Sequence, residues 1–366
     1  MSLPLRPELA GIEPYGAPQL DVAHRLNVNE NPYPPSDAMI ADITEAVREA
    51  AASLNRYADR DCVGLREDLA AYLRAESRVE VEWERVWAAN GSNEIMTQLL
   101  QAFGGAGRCA LTAVPSYSMY PEYARDTGTD FVTVARRDDF ALDIDAMIAA
   151  IERHTPAIIF LASPNNPTGT ALEVEQARAI IEAAAANGPD GTSGIVIIDE
   201  AYGEFRRDGT PSALELLADY DSLVVTRTMS KAFGMAGLRL GYCVAAREII
   251  DAVMVVRLPY HLSGLTQVAA RAALRHADEQ LAQVGELRDR RDRLAQWLRG
   301  QGFHCPESDA NFCLFGPVAD RHRLFEQLLE RGVLVREVGP EGYVRVSVGT
   351  ADDDRAFRVA LEEVDR

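Results

Sequence analysis

The sequence predicts an α/β protein, with a large and mostly parallel sheet domain followed by a smaller α+β domain. Two observations carry that expectation. Through the first two thirds of the chain, short and continuously apolar runs alternate with helix-like stretches, as in strands covered by helices on both faces. After about Thr266 the alternation gives way to a long charged helical region and then to shorter strand and helix signals. The division expected is an N-terminal arm at 1–35 that joins the small domain, a large domain at 36–265 and a small domain at 266–366. No internal repeat or low-complexity linker interrupts it.

The strand signals come in order. Arg85 to Ala89, Cys109 to Thr112, Ala157 to Leu161, Ile195 to Ile198 and Leu223 to Val225 are apolar and rich in β-branched residues. Between the third and fourth lies Glu173 to Ala186, rich in alanine with apolar residues at helical spacing. Ile95 to Phe103 reads as another helix, opened by Asn90-Gly91-Ser92-Asn93-Glu94 directly after a strand. Ser92 or Asn93 there is an ordinary N-cap or, read differently, part of a phosphate site, because free amides at a helix start bind anions. Gly188, Gly191 and Gly194 precede a strand at the wrong spacing for a dinucleotide fingerprint and read as a loop. Around Glu286 to Leu294 the charges of the long helix mark a solvated face.

Composition bounds the function. With 366 residues and 47% hydrophobic content the chain can bury a sizeable core, and its formal net charge of −19 argues against non-specific nucleic-acid or anionic-membrane binding. Five cysteines without a CxxC pair suggest buried free thiols, not a disulfide framework or zinc cluster. The six histidines lack paired ligand spacing, so no metal is assigned. The N-terminus does not read as a signal peptide, and no segment approaches the roughly 18 apolar residues of a membrane span. The reading is a soluble cytoplasmic protein.

Three strand ends carry the chemistry. Asn166 follows the run ending at Leu161, Asp199 ends the next, and Lys231 lies just beyond the third, at intervals of 199 − 166 = 33 and 231 − 199 = 32. Singly these read as a turn residue, a helix cap and a surface lysine, and Tyr202 as a core residue. Together they set an amide, a carboxylate, a phenol and a lysine along one sheet edge, where open α/β sheets bind ligands. A pyridine aldehyde with a ring oxygen and a phosphate needs that set: lysine for the aldehyde, aspartate for the ring nitrogen, amide and phenol for the oxygen. Thr228, Ser230 and Arg239 beside the lysine, with Ser92 and Asn93, supply phosphate donors.

At these motifs the chain resembles the fold-type I pyridoxal-phosphate aminotransferases. TMSKAFGMAGLRLGY resembles their lysine segment, SPNNPTG their asparagine loop and IIDEAY their aspartate-tyrosine segment. LNVNENPYPPS, Asn55-Arg56-Tyr57, AANGSNE, PSYSMY, RLPYHLS, SDANF and VRVSVGT, in order from about 26 to 350, extend the resemblance to the histidinol-phosphate branch. Pro34 departs from it where glycine is expected in much of the family; proline fixes φ and removes a donor.

The resemblance implies roles. Lys231, Asp199 and Tyr202 would be catalytic, with Lys231 bonded to pyridoxal 5'-phosphate and later carrying the proton, and Asp199 pairing with the pyridinium. Tyr202 and Asn166 would bind the ring oxygen, and Tyr117 would stack on the ring. Ser92, Asn93, Thr228, Ser230 and Arg239 would hold the phosphate, joined by Tyr57 from a second copy in a homodimer. Tyr33, Asn166, Arg336 and Arg345 would bind substrate, with Asn27 and Glu30 beside Tyr33 at the imidazole end and Tyr260 coming from the partner chain.

The activity implied is amino transfer between L-glutamate and imidazole-acetol phosphate in histidine biosynthesis. An aromatic amino-acid aminotransferase is the nearest alternative, a related phosphate-containing amino-acid decarboxylase another. From a different class, an effector-binding module on this fold usually carries a DNA-binding extension, and fewer than 30 residues precede the signature. Adjacent Ser230 and Lys231 lack the S-x-x-K spacing of a hydrolase.

Overall fold

The structure, a computed structural model, describes residues 3–364. After β1 (His24–Arg25) come β2 (Val86–Ala89), β3 (Cys109–Val114), β4 (Asp130–Ala135), β5 (Ile158–Ala162), β6 (Ile195–Asp199), β7 (Leu223–Thr228) and β8 (Gly241–Ala245). Near the C-terminus lie β9 (Phe312–Phe315), β10 (Val333–Leu334) and β11 (Val344–Ser347). Strands β2 to β8 form one sheet in the order β2-β8-β7-β6-β5-β3-β4.

Five of them, β3 to β7, pair in parallel, while β8 runs antiparallel to both β7 and β2. The sequence reading treated Arg85 to Ala89 as one of the parallel set; its sole strand neighbour among the described residues is the reversed β8. Because β8 alone is reversed, β2 still points the same way as β5, β6 and β7. Their C-terminal ends therefore share one edge. Strand β4, missed in the sequence, is half-exposed along its length and lacks the continuous apolar run of a strand covered on both faces.

Alternation explains that run. Ile159, Leu161, Val196 and Ile198 enter one buried cluster, whereas Ile158, Phe160, Ile195 and Ile197 enter another. Each side chain fully buried this way contributes on the order of 1.5–3 kcal/mol. By the same parity Asp199 shares a face with Phe160, and Glu200 faces the other way. There Glu200 meets the fully buried Arg227 at 2.7 Å, and Glu204 and Glu76 complete an ion network that ties β6 to β7 behind the site.

Helices flank both faces. Val174–Ala186 starts with a capping box between Glu173 and Gln176, and Ile144–His154 is capped by Asp143. The long helix Ala277–Gly300 buries Val284, Leu287, Leu294 and Leu298. The sequence reading took its charges to be solvated, but not all of them are: Arg291 is buried, and its Nη1 donates to the carbonyls of Phe205 and Ala310 at 2.8 and 3.3 Å. A charged side chain with satisfied donors can be turned inward, which composition does not reveal.

A third cluster joins Leu26 to side chains between Leu294 and Val364. There β9 pairs with β11, and β1 pairs in parallel with β10, so the N-terminal segment adds a strand to C-terminal structure.

Candidate active site

Where the sheet edge meets the C-terminal elements lies a cavity of about 290 Å³. Lining it are Ser92, Asn93, Tyr117, Asn166, Asp199, Tyr202, Thr228, Ser230, Lys231, Arg239, Arg336 and Arg345, together with Asn27 and Tyr15. The register accounts for the convergence. Ala162, Asp199 and Thr226 are successive Cα partners across β5, β6 and β7, and Gly241 of β8 faces both Thr228 and Ala89.

The phosphate-type corner begins at Gly91, whose φ of +79° suits glycine and whose absent Cβ leaves room for Arg239 Nη2 at 2.7 Å from that position. The helix Ser92–Phe103 has no side-chain cap, so neither Ser92 nor Asn93 is its N-cap and the first amides stay free. Thr228 Oγ1 lies 2.9 Å from Ser230 Oγ and accepts from Ser230 N at 3.1 Å.

Asp199 marks the opposite end. Asp199 is 6% exposed, and its carboxylate accepts from Tyr120 Oη at 3.0 Å, Thr226 Oγ1 at 3.1 Å and Ala201 N at 3.2 Å. Burial raises its pKa against these three neutral donors, and none of its bonded partners is a cation. Such a group suits a ligand that brings a positive N–H.

Between the ends, Lys231 Nζ donates to the Val28 carbonyl at 2.8 Å and lies 5.9 Å from the Tyr202 ring centre. Removal from water, with the Arg345 and Arg239 charges against only Glu30 in its favour, lowers its pKa to about 8. Tyr202 accepts from Asn29 Nδ2 at 3.0 Å, and burial raises its pKa. Asn166 Oδ1 accepts from Arg345 Nη1; Arg345 Nη2 donates to the Asn27 carbonyl at 2.8 Å, and its buried Nε has no partner among the described residues. Arg336 and Arg345 face each other in an isolated antiparallel bridge, N to O at 3.0 and 2.9 Å.

An amine, a cation-free buried carboxylate and an uncapped, hydroxyl-rich helix start fit the aldehyde, ring nitrogen and phosphate of pyridoxal phosphate. The family profile of class I and II aminotransferases matches residues 23–362. The chain belongs to the class I and II aminotransferases. This aminotransferase is 54% identical over 362 residues to histidinol-phosphate aminotransferase 3 of Burkholderia lata, covering 99% of this chain and 96% of that one. With the histidinol-phosphate aminotransferase of Thermobifida fusca it shares 55% over 359 residues, 98% and 95% of the two chains. A solved Thermus thermophilus aspartate aminotransferase single mutant superposes with a TM-score of 0.81 at 26% identity, over 99% and 98% of the chains. The fold also matches that of the Sinorhizobium meliloti histidinol-phosphate aminotransferase solved with pyridoxal-5'-phosphate, at a TM-score of 0.83 and 24% identity over 98% and 97%.

Four expected residues, Tyr57, Tyr260, Tyr33 and Glu30, lie outside the cavity lining of this aminotransferase chain. Tyr57 is 81% exposed and stacks on Tyr260 at 4.3 Å. Tyr33 packs on the core and its hydroxyl accepts from Arg290 at 3.1 Å; Glu30 is exposed. Sequence reasoning missed Asn29, which also accepts from Ser347 Oγ at 2.8 Å, as well as Tyr15, Tyr120 and Thr226. The alternation Asn27, Asn29, Asn31 hinted at the first; Tyr15 lies in a segment without regular structure and carried no signal.

Proposed function

We propose that this aminotransferase exchanges an amino group between L-glutamate and imidazole-acetol phosphate, forming L-histidinol phosphate and 2-oxoglutarate in histidine biosynthesis, with pyridoxal 5'-phosphate as cofactor. The observation that carries the substrate reading is the opposed pair Arg336 and Arg345, two fixed positive charges at one side of the cavity. A phosphate, or the second carboxylate of glutamate, needs both; an aromatic amino acid offers an anion for only one. The naming of the relatives supports the same substrate.

Bound pyridoxal phosphate supplies an electron-withdrawing ring that acidifies the proton on the amine-bearing carbon. The chain's residues do the rest. Lys231 Nζ, with its lowered pKa, takes and returns that proton. Asp199 would pair with a positive ring nitrogen, Tyr202 and Asn166 would bind the ring oxygen, and Tyr117 would pack on the ring. Ser92, Asn93, Thr228, Ser230 and Arg239 would hold its phosphate. Arg345 and Arg336 orient the substrate anions.

The reading extends to a homodimer in which Tyr57 reaches the neighbour's phosphate site, consistent with its exposure and that of Leu54, Val255 and Leu258. It includes the division into an arm at 1–35, a large domain at 36–265 and a small domain at 266–366, supported by the cluster linking Leu26 to C-terminal side chains. No helix among the described residues is long and apolar enough to cross a membrane, and the five cysteines are unpaired, which supports a reducing, cytoplasmic setting.

A half-reaction panel tests the substrate. Loss of the cofactor's aldehyde-form absorbance is followed with histidinol phosphate, glutamate, phenylalanine, tyrosine and threonine phosphate. Histidinol phosphate should lead. Arg336→Ala should lower kcat/KM for histidinol phosphate and glutamate roughly 30-fold to several-thousand-fold, phenylalanine much less, with cofactor binding intact. Wild-type preference for phenylalanine, or equal loss on all substrates, would transfer the assignment to an aromatic aminotransferase.

A further inference from the structure

Tyr120 opens the helix Tyr120–Thr127 and is fully buried. Its ring lies flat on Phe160, centroids 4.6 Å apart and planes 9° from parallel, and meets the Tyr117 ring edge-on at 5.5 Å. The hydroxyl reaches Asp199 Oδ2 at 3.0 Å, while Thr226 and Ala201 both donate to Oδ1. Rotation of a carboxylate about its terminal torsion is soft, so donors on one oxygen alone leave its plane loosely fixed. Among the described residues, only Tyr120 bonds to the other oxygen.

We propose that Tyr120 is a positioning residue for the amino-transfer reaction, its hydroxyl aiming the Asp199 carboxylate into the cavity and keeping it ionised while its ring ties that carboxylate to Tyr117. The proposal rests on the reading that Asp199 pairs with the cofactor's ring nitrogen. Burial and the Asp199 charge push the ionisation of Tyr120 far above that of a free phenol, so the hydroxyl remains a donor and is no acid in its own right. The titratable groups around Asp199 besides Tyr120 are Glu200, Tyr117, Tyr123 and Tyr202. Glu200 is engaged by Arg227 on the other face and the tyrosines are neutral, so among the described residues no cation of the chain bonds to Asp199. Hydrogen bonds must hold its charge.

Equilibrium binding of pyridoxal phosphate, measured across pH, tests this on the full chain with Tyr120→Phe, Asp199→Asn and the double variant. Tyr120→Phe keeps the ring stack and removes one bond to a charged acceptor, so the cofactor Kd should rise about tenfold. The acid limb of binding should move up by about one pH unit, because the carboxylate protonates sooner. The double variant should bind like Asp199→Asn alone. A core residue with no role in aiming Asp199 would lower Tm and leave the acid limb in place. The proposal is overturned if Asp199→Asn weakens binding while Tyr120→Phe changes neither Kd nor limb, or if the two effects multiply. Wild-type binding matched by Asp199→Asn would instead remove the reading of Asp199 beneath it. Should Tyr120→Phe fold poorly, 3-fluorotyrosine at position 120, a stronger donor of nearly the same size, should move the acid limb down; an unmoved limb counts against the proposal.

Discussion

Lys231 is held by one backbone carbonyl and sits among cationic neighbours, and burial with those charges lowers the pKa of its amine to about 8. The sign for cofactor loading follows. Only the neutral amine attacks an aldehyde, and at pH 7 about a tenth of it is neutral, at pH 8 about half. The rate of pyridoxal phosphate uptake by cofactor-free protein should therefore rise about fivefold between those pH values and level off above roughly pH 9. A rate still climbing nearly tenfold between pH 8 and pH 9 in stopped-flow absorbance, where a shifted amine gains less than about twofold, would mean that the amine is not shifted. Lys231, Asp199 and Asn166 were legible from their places just after apolar runs. Tyr120 was not, because Tyr117, Tyr120 and Tyr123 crowd one short stretch and only the helix placement decides which reaches Asp199.

At the scale of elements, the site depends on a strand that sequence did not reveal. Gly241 of β8 pairs with Thr228 on one side and Ala89 on the other, and a Cβ there would collide with the backbone of Gly91 and Ser92. Backbone cannot swing aside as a side-chain tip can. Gly241→Ala should thus force the helix Ser92–Phe103 away from Thr228 and Ser230, lowering stability by about 2–4 kcal/mol and sharply weakening cofactor retention. Urea unfolding and cofactor dialysis check it; an unchanged midpoint with full retention would show that β2 and β8 need no such contact. The apolar run Tyr242 to Ala245 was present in the sequence, but the reversal of β8 was not, since pairing direction comes from the path of the chain between strands and not from side-chain pattern. Arg291 makes the same point for the long helix: a charge reads as solvated until its carbonyl partners are placed.

For the whole molecule, the exposed Tyr57 and Tyr260 stack beside the bare Leu54, Val255 and Leu258 is surface that a monomer has little reason to show. If Tyr57 completes a neighbouring site, Lys231→Ala and Tyr57→Ala chains, each inactive alone, should recover activity when refolded together. Statistical mixing makes half the dimers mixed, each with one intact site, so about a quarter of wild-type activity is expected. No recovery, or a monomer fully active on dilution, would defeat the shared site.

By itself the sequence determined the α/β alternation, the strand ends that carry Asn166, Asp199 and Lys231, and the donor-rich stretches around Ser92 and Ser230. Those features are local: apolar runs, strand-end placement and motif order survive without knowing what packs on what. Only the tertiary structure decided that β8 is reversed, that Asn29 and Val28 from the N-terminal segment meet Tyr202 and Lys231, and that Arg336 stands opposite Arg345. It also decided that Tyr120, of the three tyrosines in its stretch, bonds to Asp199 Oδ2. Each of these joins residues far apart in the chain, or selects among like neighbours, and depends on register and burial that no single segment encodes.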